Sequence, residues 1–293
     1  MRSWAALARV LYENRPSPDG FLVLGVTVAG AAVLAEAATR TSLGDAESAS
    51  ACRYPPASDV LTAEHVRELE RGSIVILRNV LPPAILLAAR AEAASLGLRG
   101  LLSPDNHGNA ADVRQDRICW VREDDSVPHC DGMTHCIKTL RGLPFLLARH
   151  GYARAHSFVV PRQCQLACYS PASGAGYTRH LDRCTLGVLD MGLLGWCRAR
   201  DYRHRTVTAI LYLNDPEWEG GGSLRCFGTA AAGTGAAATT ADGGAEAFHD
   251  VAPAGGTLVL FDASLVEHQV LPSRGAADRF ALTCWINGEL SAV

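Results

Sequence analysis

The stretch Arg279–Asn287 reads RFALTCWIN, and its alternation of side chains at period two is that of a β-strand, with Arg279, Ala281, Thr283 and Trp285 on one face. Similar short runs precede it: Gln163–Tyr169, Thr206–Leu213, Ser223–Phe227, Gly256–Phe261 and Glu267–Leu271, with Gly, Pro, Asn and Asp between them. Many short strands without helical crossovers predict an antiparallel sandwich or jelly roll. Residues 228–247 (GTAAAGTGAAATTADGGAEA) interrupt the run as a low-complexity stretch, expected to be a disordered surface loop without chemistry.

Upstream, the pattern becomes helical. Asp59–Arg71 and Pro82–Leu96 read as helices on either side of a short strand, Ser73–Asn79, and should pack outside one sheet, giving a mainly β fold with flanking α-helices. Thr41–Ser58 is rich in Ser, Ala, Pro and acid and reads as a linker, so the working domain is expected over 59–293 and an extension over 1–58. Within the extension, Gly20–Ala35 is uncharged and apolar but short for a membrane span of about 20 residues. A packed helix and an anchor or targeting segment both remain open for it.

Composition narrows the function. Of 293 residues 48% are hydrophobic, enough for a sizeable core, and 27 Lys plus Arg against 30 Asp plus Glu give a net charge of −3, which disfavours nucleic acid as a partner. The ten cysteines are too sparse for a disulfide scaffold and form no C-x-x-C, so free thiols in a reducing compartment are expected. His129, Cys130, His135 and Cys136 form a loose group that could take a metal, although scattered thiols explain them as well.

A sharper constellation lies in the β region. His180 and Asp182 end YTRHLD, where strand geometry would send both to one face, and His268 in VEHQV follows on another strand of the same core. Two imidazoles and one carboxylate make a facial triad suited to ferrous iron, and the same ligand types serve zinc hydrolysis. H-x-D tripeptides arise by chance, so the neighbours carry the argument. Arg279, facing a barrel interior, needs a partner there, because burying an unpaired guanidinium costs several kcal/mol. A dicarboxylate would supply one, with Tyr212 of AILYLND able to donate to it.

These residues carry a family resemblance. CYSPASGAGYTRHLD (168–182), RTVTAILYLNDPEWEGGGSLRCF (205–227), LVEHQVLPS (265–273) and RFALTCWIN resemble the catalytic core of the iron- and 2-oxoglutarate-dependent prolyl 4-hydroxylases. Asp112–Val121 (DVRQDRICWV) is similar to the R-x-D-x-I-x-W signature of their oxygen-sensing branch, the hypoxia-inducible-factor prolyl hydroxylases. The resemblance implies a double-stranded β-helix, cupin-like core. It implies His180, Asp182 and His268 as iron(II) ligands, Arg279 as partner of the distal carboxylate of 2-oxoglutarate, and Tyr212 as its assistant. Tyr169, Thr283 and Leu224 would line the co-substrate pocket, while Arg205, Arg114 and Asp116 would border the substrate. Trp120 and Trp285 match aromatic positions. The implied reaction uses O2, with L-ascorbate as reductant, to hydroxylate C4 of a prolyl residue in a protein, as in a hypoxia response.

Two departures stand out: a longer spacing from His268 to Arg279, which the turn PSRGAAD can absorb, and an insertion over 183–204 beside the substrate groove. The insertion leaves open the same chemistry on another side chain or a free amino acid. A zinc hydrolase would leave Arg279 and Tyr212 without a role, and a non-catalytic jelly-roll binding module would leave the triad without one. By resemblance the compartment is cytoplasmic or nuclear, with an endoplasmic reticulum membrane held by residues 20–35 as the alternative.

Overall fold

The computed structural model describes residues 60–104, 113–123, 131–184, 186, 189–190, 192, 195, 197, 199–228, 231–232 and 247–289. The extension over 1–58, His129, Cys130 and most of the low-complexity stretch lie outside them. The strands are β1 (Ile74–Leu77), β2 (Ser103–Pro104), β3 (Arg117–Val121), β4 (Cys164–Tyr169), β5 (Tyr177–His180), β6 (Arg205–Tyr212), β7 (Leu224–Phe227), β8 (Ala231–Ala232), β9 (Phe248–Val251), β10 (Leu258–Asp262), β11 (His268–Val270) and β12 (Arg279–Asn287). The main helices are α1 (Ala63–Glu70), α2 (Pro83–Leu98) and α3 (Asp131–Arg149).

The strands form two sheets, one ordered β2-β3-β4-β12-β6-β10-β1-β8 and one ordered β5-β11-β7-β9. All their pairings are antiparallel except that of β8 with β1. The expected jelly-roll core with helices outside one sheet is what the chain builds. Period two explains how. On β6, Val207, Ala209 and Leu211 join the core beneath the helices, while Ile210 and Tyr212 face the space between the sheets. On β12, Phe280, Leu282, Cys284 and Ile286 face the helices, leaving Arg279, Ala281, Thr283 and Trp285 for the inner side. A large sheet covered on both faces buries every residue of β6.

Two elements differ from expectation. Helix α3 was not foreseen, because Gly132, Gly142 and Pro144 punctuate it and proline removes an interior hydrogen bond. Tertiary packing overrides this: Met133, Cys136, Ile137, Leu140, Leu143 and Leu147 recur at helical spacing and are fully buried. Its first turn is capped from α2, where the Glu92 carboxylate accepts from Gly132 N at 3.1 Å and Met133 N at 3.0 Å. Within the low-complexity stretch, Ala231–Ala232 form strand β8 beside β1. Cys136 lies in the core, so the loose His/Cys group is not assembled among its described members. No helix of the described residues is long and apolar enough to cross a membrane.

The end of β6 is locked by Asn214, which donates to Pro253 O at 2.7 Å and accepts from Phe280 N at 2.6 Å. At Gly255 an added Cβ would sit 1.9 Å from Asn214 O. Gly255→Ala is therefore expected to cost about 3 kcal/mol in urea denaturation, by forcing backbone apart in a close-packed core. A loss below about 0.5 kcal/mol, the level of an ordinary surface change, would contradict this reading of the turn.

Candidate active site

The register of the smaller sheet pairs His268 of β11 directly with His180 of β5. Their rings lie 4.3 Å apart, His180 stacks on Tyr177 at 3.8 Å, and His268 packs against Phe261 at 4.7 Å. Each Nδ1 has a backbone carbonyl acceptor, Thr178 O at 2.7 Å for His180 and Val266 O at 3.0 Å for His268. These bonds fix the tautomer in which Nε2 carries the free lone pair.

Asp182 reaches the same point by a route the alternation did not describe. Strand β5 ends at His180, and Asp182 lies in the bend beyond it. Its position is set by contacts: Thr208 Oγ1 donates to Asp182 Oδ2 at 2.7 Å, Arg205 Nη1 donates to Asp182 O at 3.3 Å, and Arg183 N donates to Ala263 O at 2.8 Å. His180 Nε2 then lies 3.8 Å from Asp182 Oδ1, and His268 Nε2 lies 3.6 Å from Oδ2.

Electrostatics sharpen this grouping. Burial, and then the neighbouring His268, push His180 down to about 3, so it stays neutral near pH 7. For Asp182, burial alone would raise the pKa, but His268, His180, Arg205 and the Thr208 bond outweigh it and bring it to about 2. Two imidazole nitrogens and a carboxylate oxygen thus lie within 4.8 Å of one another. A divalent cation fits between them, and an N2O ligand set suits ferrous iron.

Beside it lies a cavity of about 120 Å3, room for a small molecule. Its deep end is made by Arg279, Tyr169, Leu224, Ile210 and Ala281, all buried. Arg279 is 1% exposed; its Nε donates to Gly222 O at 2.8 Å, its Nη1 has no hydrogen-bond partner, and it makes no ion pair among the described residues. The rings of Tyr169 and Tyr212 lie 4.7 and 5.1 Å from its guanidinium carbon. Gly222 permits the approach, since its φ is +67° and a Cβ there would meet Arg279 Cδ at 2.7 Å. Tyr212 Oη is buried without a hydrogen-bond partner, and burial raises its pKa to about 12 against the opposing charge of Arg279. It therefore remains a donor. A buried guanidinium whose Nη1 has no partner, and which makes no ion pair among the described residues, is the complement of a small carboxylate.

The mouth is lined by partly exposed Arg114, Trp120, Tyr177, Tyr202, Thr283 and Trp285. Arg114 is held by Asp116 through bonds of 2.5 and 2.8 Å and by Gln165 Oε1 at 2.6 Å. Asp116 is buried behind it and does not line the cavity, nor does Tyr212. Arg205 does, against the rings of Trp285 at 3.8 Å and Tyr202 at 4.3 Å. Sequence reasoning missed Gln165, Thr208, Gly222 and Tyr202. Period two counted back from Tyr169 would have placed Gln165 on the cavity face; nothing in the sequence ties Thr208 to Asp182.

Residues 164–287 match the sequence model of the 2OG-Fe(II) oxygenase superfamily, a span that contains His180, Asp182, His268 and Arg279. No curated protein matches the chain. Among solved structures, a prolyl-4-hydroxylase from Pseudomonas putida is 28% identical, with a TM-score of 0.55 over 78% of this chain and 100% of that one. A Trichoplax adhaerens prolyl hydroxylase, solved with a hypoxia inducible factor oxygen degradation domain peptide fragment, shares the fold at 22% identity, with a TM-score of 0.55 over 77% and 89% of the two chains. So does SnoK, a non-heme alpha ketoglutarate dependent carbocyclase of nogalamycin biosynthesis, at 13% identity and a TM-score of 0.52 over 80% and 87%. Residues 164–287 thus form a domain similar to the 2OG-Fe(II) oxygenase superfamily, and this domain carries the converged triad and Arg279.

Proposed function

We propose that this dioxygenase hydroxylates a prolyl residue, at its 4-position, in a protein substrate. The observation that carries the active-site reading is the buried, unpaired Arg279 beside a centre of three converged acceptors. His180, Asp182 and His268 would hold iron(II). Arg279, with Tyr212, would take the distal carboxylate of 2-oxoglutarate, and Tyr169, Leu224 and Thr283 would wall its chain. Iron(II), 2-oxoglutarate and O2 together supply the oxidising power for C–H hydroxylation, with succinate and carbon dioxide as co-products. The protein's part is to orient the reactants and to exclude water from a buried site.

Support for a prolyl substrate comes from the similarity to the Pseudomonas prolyl-4-hydroxylase, which spans that whole chain. An aromatic mouth of Trp120, Trp285 and Tyr177 suits an apolar ring, with Arg114, oriented by Asp116, and Arg205 beside it to bond a peptide carbonyl. The eight described cysteines are free, which supports a reducing, cytoplasmic or nuclear setting. L-ascorbate would maintain the ferrous state, and an oxygen-sensing role belongs to the same reading. Tyr202, brought to the mouth by the inserted segment, favours a second reading in which the chemistry acts on another side chain or a free amino acid.

Mass spectrometry of proline-containing peptides incubated with the protein, iron(II), 2-oxoglutarate and ascorbate separates the two. Gain of one oxygen atom on proline is expected; gain on another residue, or only on free amino acids, overturns the prolyl assignment.

A further inference from the structure

The insertion over 183–204 begins immediately after Asp182 and ends immediately before Arg205. Its base is drawn together: Cys184 N donates to Tyr202 O at 3.1 Å, and Gly288 N donates to His204 O at 2.9 Å. This closure brings Arg205 back against Asp182, with Nη1 3.3 Å from the carbonyl oxygen and 3.8 Å from carboxylate Oδ1. Of the described residues in the insertion, Tyr202 alone lines the cavity. Its ring lies 4.3 Å from the guanidinium carbon of Arg205, and Trp285 lies 3.8 Å from the same carbon. Trp285 is braced in turn by Trp120 at 5.9 Å.

We propose that Tyr202 is a positioning residue for the metal centre: it holds Arg205 between the insertion and Trp285, and through Arg205 it holds Asp182. The inference rests on reading His180, Asp182 and His268 as that centre. Two protein contacts restrain the Asp182 carboxylate, Thr208 on Oδ2 and Arg205 toward Oδ1. Removing the second leaves rotation about the Cβ–Cγ bond restrained from one side. The carboxylate then spends less time facing both imidazoles. A planar guanidinium lying against aromatic rings is held by its faces, so its contact with Tyr202 is made by the ring.

The test is anaerobic titration of the full chain with Co(II), following protein fluorescence and the Co(II) absorption spectrum. Tyr202→Ala and Arg205→Lys are each expected to weaken Co(II) binding about tenfold and to alter the spectrum, as losses behind a metal ligand do. Tyr202→Phe should stay within about twofold of wild type, because the ring face that meets the cation is retained. Wild-type affinity and spectrum in Tyr202→Ala overturn the proposal. So does equal weakening in Tyr202→Phe and Tyr202→Ala with both melting early, which is loss of fold support. A wild-type chain that takes up no Co(II) removes the metal-centre reading, and the proposal with it.

Discussion

His268→Ala is expected to lower 2-oxoglutarate turnover by more than about a hundredfold, since altering a residue merely behind a metal ligand already costs 10–100-fold. His268 is 4% exposed, anchored through Nδ1 to Val266 O and paired in register with His180, so its Nε2 is held in place. The loss should appear first in iron(II) affinity, read by anaerobic titration. Fold and metal effects separate through the melting temperature of metal-free protein: the variant leaves a cavity against Phe261 but also relieves the crowding of acceptors around Asp182. Stabilisation by iron(II), which follows from binding to the folded chain alone, should be present in wild type and absent in the variant. Iron(II) binding at wild-type affinity by His268→Ala would refute the assignment of this ligand.

Arg279→Gln should raise the KM for 2-oxoglutarate at least about thirtyfold, the equivalent of roughly 2 kcal/mol lost when one partner of a buried charge pair is truncated. Saturating co-substrate should restore much of kcat, because in the proposed role Arg279 would meet the distal carboxylate and not the reacting carbons. Arg279→Lys keeps the charge but loses the planar fork, so an intermediate KM is expected. The ligand-free protein behaves in the opposite sense. Arg279 is there a buried cation without an ion pair among the described residues, and Arg279→Met should leave stability unchanged or increase it in urea denaturation. An unchanged KM in Arg279→Gln would mean that the dicarboxylate binds elsewhere.

How much of this was legible depends on how local each signal is. Strand β12 was readable to the residue, because alternation is a local property and Arg279 is conspicuous on its inner face. The helices α1 and α2 were readable too, although the Thr62 cap, which accepts from His65 N at 3.3 Å, starts α1 later than composition suggested. Helix α3 was not, because Pro144 and two glycines oppose it locally and only its packing against α2 and the sheet sustains it. At Gly132 that packing is so close that an added Cβ would sit 2.5 Å from Ala89 N.

The site divides in the same way. The residue types of the triad and of Arg279 stand in the sequence, but their meeting depends on a strand register, His268 opposite His180, that no local pattern encodes. Asp182 was placed by an argument from strand geometry that does not hold there; the bend after His180, Thr208 and Arg205 do the placing. Asp116 stands behind Arg114 and accepts from its guanidinium, a relation that spacing alone does not reveal. Tyr202 sits in a segment of no recognisable pattern and reaches the cavity only because the ends of the insertion are tied together.

The central claim is that three converged acceptors and a buried arginine make a working iron and 2-oxoglutarate site. The most direct measurement is succinate formation by the purified chain given 2-oxoglutarate and O2, with and without iron(II), alongside His180→Ala. The account predicts succinate that requires iron(II), increases with a hydroxylatable proline peptide and disappears in the variant. A chain that binds no iron(II) and forms no succinate, or one whose turnover survives His180→Ala, would contradict it.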